Sequence, residues 1–289
     1  MIKNQEDLIR NLKARPPFQE GEWTERLESR KKEEIAFHNF EREKENPETL
    51  KAQKRVNIHA NKKYYSVTRK SKKYIEDWLK RYASKGVFLD YACGNGGGAI
   101  AASQRGAEIS IGLDISDISI RNAMREAGNS GVSNKIFFFQ GDCEATELPD
   151  NSIDAILCSG MLHHLDLSRA YPELFRILSP GGRILCVEAL GHNPLIQLYR
   201  ELTPQLRTDW EKKHILKKHD IKFAEDYGFK LGHVCSWHLL SLCAVPFRNS
   251  RAALSVLAAL ERADSFLLSI PGIKWWGWQV TFELLKKDA

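Results

Sequence analysis

From Val87 to Glu188, short apolar runs alternate with stretches that suit helices, and this alternation limits the chain to very few folds. The runs fall at 87–91, 108–113, 136–140, 153–158 and 183–188, and stretches such as 96–105, 117–128 and 168–178 separate them. Strand-like runs joined through helices predict a parallel sheet covered on both faces, hence an α/β fold. Ser179-Pro180-Gly181-Gly182 is read as a tight turn feeding the fifth strand. Two further β candidates, near 230–237 and 278–285, bring the count to seven. An insert at about 191–220 follows strand five, and a helical insert at about 247–272 carries Leu254, Leu257, Leu260 and Leu267.

The segment before the sheet has a different character. Residues 1–63 are polar and helix-prone, interrupted by Pro16-Pro17 and by Pro47, and hold too few apolar side chains to fold alone. Such an arm is expected to pack on the remainder, residues 64–289, or on a second copy, which leaves a homo-oligomer open. Residues 71–84 place Tyr74, Ile75, Trp78, Leu79 and Tyr82 on one helical face. The whole net charge of +6 lies in the first 80 residues. A basic arm could meet nucleic acid, but acids and bases interleave from Glu25 to Glu34, which reads more simply as a solvated helix surface. The aromatic run Phe266 to Trp278 suits a helix leading into a core strand and leaves a peripheral membrane contact open. The six cysteines form no C-x-x-C pair, the N-terminus has no apolar signal core, and no apolar run reaches membrane-spanning length. A cytoplasmic protein is expected.

Chemistry gathers where strands end, because ligands of open α/β sheets sit outside the carboxyl ends of the strands. After strand one, Asp90-Tyr91-Ala92-Cys93-Gly94-Asn95-Gly96-Gly97-Gly98 breaks into a glycine-rich turn that lets backbone lie against a ligand. An acidic residue before the turn suits a ligand with an ammonium group rather than a pyrophosphate, and the G-x-G-x-x-G context of a nicotinamide enzyme is absent. Asp114 ends strand two and can accept both hydroxyls of a ribose; the competing role of helix cap is better filled by Ser116 or Asp117. Asp142, after strand three, can accept from an exocyclic amine or serve as a turn residue. Ser159-Gly160-Met161-Leu162-His163-His164-Leu165 follows strand four.

This set resembles the class I S-adenosylmethionine-dependent methyltransferases over about residues 64–190. The resemblance implies a Rossmann-like seven-stranded sheet with S-adenosyl-L-methionine as cofactor. It implies that Asp90, Ala92, Gly94, Gly96, Asp114, Ile115, Asp142, Cys143 and Ser159 bind that cofactor. Leu148 to Asp154 matches the family's approach to strand four, and Ser179 to Gly182 its turn before strand five. Ala92 departs from the family pattern, which most often has glycine there.

The acceptor is less sharply marked. The chain lacks the Asn/Asp-Pro-Pro-aromatic motif of amino methyltransferases and the Pro-Cys of cytosine-C5 enzymes. Leu162-His163-His164-Leu165 instead resembles the small-molecule enzymes of ubiquinone and menaquinone biosynthesis and their natural-product relatives. The expected activity is therefore methyl transfer to oxygen or carbon of a small molecule, with an RNA or protein methyltransferase using the basic arm as the alternative. Either His163 or His164 could act as a base, since imidazole titrates near neutrality and adjacent side chains do not both face one site. Glu188 and His192 are a second candidate acid/base pair. Tyr65 and Tyr199 are candidates for the acceptor pocket, and Arg200 and Arg207 for a clamp on an anionic acceptor or for internal salt bridges. Nothing resembles the acidic metal site of catechol-type methyltransferases, and no metal is expected.

Overall fold

A computed structural model describes residues 2–43, 62–132 and 135–287. Seven strands form one sheet in the order β3-β2-β1-β4-β5-β7-β6. They are β1 (Val87–Tyr91), β2 (Ile109–Asp114), β3 (Ile136–Gln140), β4 (Ile153–Ser159), β5 (Leu178–Ala189), β6 (Lys230–Trp237) and β7 (Gln279–Leu285). β1 to β5 are mutually parallel, and β7 runs antiparallel between β5 and β6. β1 and β2 are buried along their whole length, which is why they read as continuous apolar runs rather than alternating ones. The strand order reverses between β1 and β4, and the crevice at their carboxyl ends is where a ligand of such a sheet belongs.

Two local details differ from the sequence reading. Ser179 to Gly182 lies inside β5 rather than ahead of it: pairing with β4 jumps from Leu178 to Arg183, and Gly181 adopts a φ of +75°. The four residues form a bulge that keeps both flanks in the sheet. The later insert, at about 247–272, is helical only over Ala253–Leu267, and a 3-10 turn over Leu240–Phe247 precedes it. The earlier insert holds three short helices, Pro194–Leu202, Asp209–His214 and Lys218–Phe223. Among the described residues no helix is long and apolar enough to cross a membrane.

The arm contributes α1 (Ile2–Ala14), α2 (Gly21–Arg26) and α3 (Ser29–Glu43). α1 ends just before Pro16, whereas the expected break at Pro47 lies outside the described residues. Leu8 and Leu12 of α1 are buried in the same apolar cluster as Leu113 and Phe139. After α1 the chain runs along the β3 edge: the Gln140 N–H donates to the Pro17 carbonyl at 2.8 Å, and Gln19 donates its backbone N–H to Gln140 Oε1 and its side-chain amide to the Gln140 carbonyl. This covers the open edge of the sheet and delivers α3 to the carboxyl ends of the strands. There Asn39 bonds Ser116 and Asp117 at the start of the helix Asp117–Asn129.

Candidate active site

The turn after β1 is shaped by close approach. Gly96 has a φ of +79°, and a Cβ on it would lie 2.8 Å from the Phe138 ring and 2.9 Å from Ala123. A Cβ on Gly98 would sit 2.7 Å from the Asp90 carboxylate, which accepts the Ala99 N–H at 2.9 Å. Asp90 therefore lies beneath the start of the helix Gly97–Gln104. Burial raises its pKa to about 7, against the lowering effect of the Ala99 and Gly98 N–H groups. Ala92 occupies the left-handed region with a φ of +59°, which explains why glycine is the usual residue at this point.

Asp114 is committed at both oxygens: Oδ2 accepts the Gly94 N–H at 2.8 Å and Oδ1 the Ser116 N–H at 2.9 Å. Each oxygen keeps a second lone pair, so a pair of ribose hydroxyls can still be received. The N-cap of the following helix is Ser116, whose side chain accepts from Ser119 N–H.

Ala92, Asp114, Ile115, Asp142, Cys143 and Ser159 line one wall of a cavity at the strand ends. The opposite wall is α3, through Arg30, Lys31, Glu34, His38 and Arg42. Their spacing puts Lys31, Glu34, His38 and Arg42 on one helical face. Lys31 Nζ donates to Asp142 at 2.6 Å and lies 2.8 Å from Glu144, while Arg30 pairs with Glu144 at 2.6 Å. Burial pulls the Lys31 pKa down, but the two carboxylates outweigh it and the net shift is upward. These charges were expected to face solvent. They face inward, because buried Glu144 and half-buried Asp142 form an acidic pair that the arm neutralises. Asp142 also behaves as the turn residue considered from sequence, its Oδ1 accepting the Glu144 N–H at 2.9 Å.

The cavity measures about 110 Å³, less than the roughly 300 Å³ at the low end of ligand pockets. α3 occupies the space in front of the strand ends in this conformation. Larger clefts of about 370 Å³ beside β6 and about 350 Å³ around Trp210 do not touch the ends of β1 to β3.

The loop after β4 separates the two histidines. His164 lines the cavity, with Nδ1 2.9 Å from Glu34 on α3. His163 lies behind it, with Nδ1 2.6 Å from Glu188, whose other oxygen accepts the Met161 and Leu162 N–H groups at 2.9 and 2.8 Å. Glu188 therefore ties down the β4 loop and is not paired with His192. That ring accepts the Lys218 N–H at 3.0 Å and packs near Trp275, so the expected Glu188–His192 pair does not form.

Nor do the two arginines form an exposed clamp. Arg200 donates to the Leu190 carbonyl and to Gln197, and burial beside Arg207 lowers its pKa to about 10. Arg207 bonds the Thr203 carbonyl and lies 3.4 Å from Glu211. Tyr199 stacks edge-on with Tyr64, and half-exposed Tyr65 packs on Trp278, both away from the cavity lining. Asp90 and Gly96 support the cavity from behind rather than line it, whereas Gly94 faces α3: a Cβ on it would lie 2.9 Å from Arg42.

Residues 89–186 match the family described as a methyltransferase domain. A sterol 24-C-methyltransferase from Aspergillus fumigatus is 39% identical over 95 residues, covering 32% of this chain and 25% of that protein. A ubiquinone/menaquinone biosynthesis C-methyltransferase from Methylobacterium nodulans is 38% identical over 104 residues, covering 35% of this chain and 40% of its own length. The chain thus spans well under half the length of these curated relatives. Magnesium protoporphyrin IX methyltransferase from Synechocystis, solved with bound S-adenosylhomocysteine, superposes with a TM-score of 0.59 at 16% identity, covering 90% of this chain and 100% of that one. Sheet order, rim residues and family match agree: residues 89–186 lie within a class I S-adenosylmethionine-dependent methyltransferase domain.

Proposed function

We propose that the protein methylates a small-molecule acceptor, with carbon favoured over oxygen as the atom that receives the methyl group. The observation that carries this reading is the enclosure of the cavity. Strand ends form one wall, the inward-facing side of α3 the other, and His164, Met161 and Leu165 line the β4 end. An enclosed, partly apolar space suits a small molecule better than a polymer. The names of the relatives, a sterol 24-C-methyltransferase and a quinone-pathway C-methyltransferase, favour carbon.

S-adenosylmethionine, once bound, supplies an electrophilic methyl group, so the protein's task is alignment and exclusion of water. Asp114 holds the ribose end, and the Asp90–Gly98 turn sets the backbone beside the methionine end. Glu188, through the Met161 and Leu162 N–H groups, fixes the loop on which His164 faces the acceptor. The alternative, an RNA or protein substrate drawn by the basic arm, is disfavoured because Arg30 and Lys31 are spent on Glu144 and Asp142.

Calorimetry with S-adenosylhomocysteine should show saturable binding, weakened about 30- to 100-fold in Asp114→Ala, the loss of two hydrogen bonds to one carboxylate. Unchanged affinity would remove Asp114 from the ribose site. Incubation of a cell extract with methyl-labelled cofactor should place the label in a solvent-extractable fraction. Label in RNA or protein would overturn the small-molecule reading.

A further inference from the structure

One group of side chains at the acceptor end of the cavity is not explained by cofactor binding. Glu34 Oε2 and His164 Nδ1 are both buried and lie 2.9 Å apart, yet neither makes a hydrogen bond. His38 Nε2 lies 3.4 Å from the same Glu34 oxygen, and the three ligand atoms are all within 4.8 Å of one another. Two buried lone-pair atoms at contact distance but misaligned for a hydrogen bond are costly as they stand. The two separations from Glu34 Oε2 are those that a shared cation imposes. Bonds of about 2.0–2.1 Å to one ion separate neighbouring ligand atoms by about 3.0 Å in octahedral and about 3.4 Å in tetrahedral geometry.

We propose that Glu34, His38 and His164 bind one first-row divalent transition-metal ion, with open coordination positions facing the acceptor space. Two imidazoles and one carboxylate suit zinc, iron(II), cobalt(II) or nickel(II), whereas magnesium and calcium prefer all-oxygen sets. The ligands come from α3 and from the loop after β4, so the ion joins the arm to the sheet. Thr208 from the insert after β5 donates to the other Glu34 oxygen at 2.6 Å and orients the carboxylate, as an outer partner of a metal ligand does. A neighbouring trio, His163, His164 and Glu211, is less suited: Glu188 holds His163 Nδ1, and His163 Nε2 is 3.9 Å from Glu211. The ion's use is to hold an oxygen of the acceptor, such as an enolate or phenolate, beside the methyl group. That use rests on the methyl-transfer reading, but the binding of the ion does not.

Titration of the chelator-treated full-length protein with Co²⁺ tests the site directly. One ion per chain should bind, with visible absorption bands from nitrogen and oxygen ligands. His38→Ala, at a partly exposed position that leaves the fold intact by circular dichroism, should weaken binding at least about tenfold. Glu34→Gln should do the same, and Glu211→Gln should leave affinity unchanged. Absence of saturable binding, binding indifferent to His38→Ala and Glu34→Gln, or binding lost only in Glu211→Gln would overturn the proposal. S-adenosylhomocysteine calorimetry on the same sample separates the two readings. Homocysteine-product binding without Co²⁺ binding sinks the metal site alone, and Co²⁺ binding without it supports the metal site while sinking the methyl-transfer reading.

Discussion

The two walls of the cavity both present buried charges, but they hold them by different means. On the sheet side, Asp114 in the wall and Asp90 behind it are fixed by backbone N–H groups of the turns they adjoin, within a frame of fully buried strands. On the arm wall, Lys31, Arg30 and Glu34 are fixed by side chains from distant parts of the chain: Asp142, Glu144, His164 and Thr208. The first wall is part of the core and persists as long as the fold does. The second is a set of ion pairs and hydrogen bonds laid over that core, and it carries two of the three proposed metal ligands.

The comparison can be broken at several points. Ile156→Ala in the centre of β4 should cost about 4 kcal/mol in urea unfolding, because a fully buried side chain leaves a cavity in a tightly packed sheet. A loss below about 1 kcal/mol would contradict the rigid-frame view. Lys31→Met should cost about 3 kcal/mol, since it strands Asp142 beside Glu144 without a cation, although Arg30 still serves Glu144. Proteolysis should then cut first within the arm; simultaneous cleavage of arm and sheet would mean that the two walls unfold as one unit.

A third prediction concerns pH and a region remote from both walls. His238 is buried between Ser71 and Ser241, and burial lowers its pKa to about 4, despite the opposing effect of Asp264. Above pH 6.5 both folded and unfolded states are neutral at this ring. As the pH falls from 6.5 to about 4 only the unfolded chain takes up the proton, so stability falls by about 2–3 kcal/mol. Wild type should therefore lose more stability than His238→Gln between pH 7 and pH 4.5 in paired urea titrations; equal losses would refute the assignment. The smallest effect lies at the cofactor turn. Ala92→Gly should stabilise the protein by about 1 kcal/mol, because alanine is strained at a φ of +59°. Destabilisation on thermal melting would show that the alanine methyl contributes packing there instead.

Much of the sheet wall was legible in the sequence because its determinants are local. Each strand run ends at or just before its cavity-lining group, as with Asp114 at the end of β2 or Ser159 at the end of β4. The arm wall was not legible in the same way. Its residues at 31, 34, 38 and 42 do share a helical face, but alternating charges on a helix read equally well as a solvated surface. The acidic partners of Lys31 and of neighbouring Arg30 lie more than 100 residues away. The insert misled for a related reason. Arg200 and Arg207 are the residue types of an anion clamp, yet their guanidinium groups are satisfied by carbonyls of their own insert and by Glu211.

The alternation of apolar runs and helices, by itself, determined an α/β sheet and the order of its elements, because periodicity and turn chemistry act over a few residues. It also marked the strand-end residues that line the cavity. Only the tertiary structure decided which histidine meets the cavity, what Glu188 supports, and that the basic arm closes the site rather than facing solvent. Those outcomes depend on which distant charges are brought together and deprived of water, and a buried charge takes its partner from the fold rather than from its neighbours in the chain.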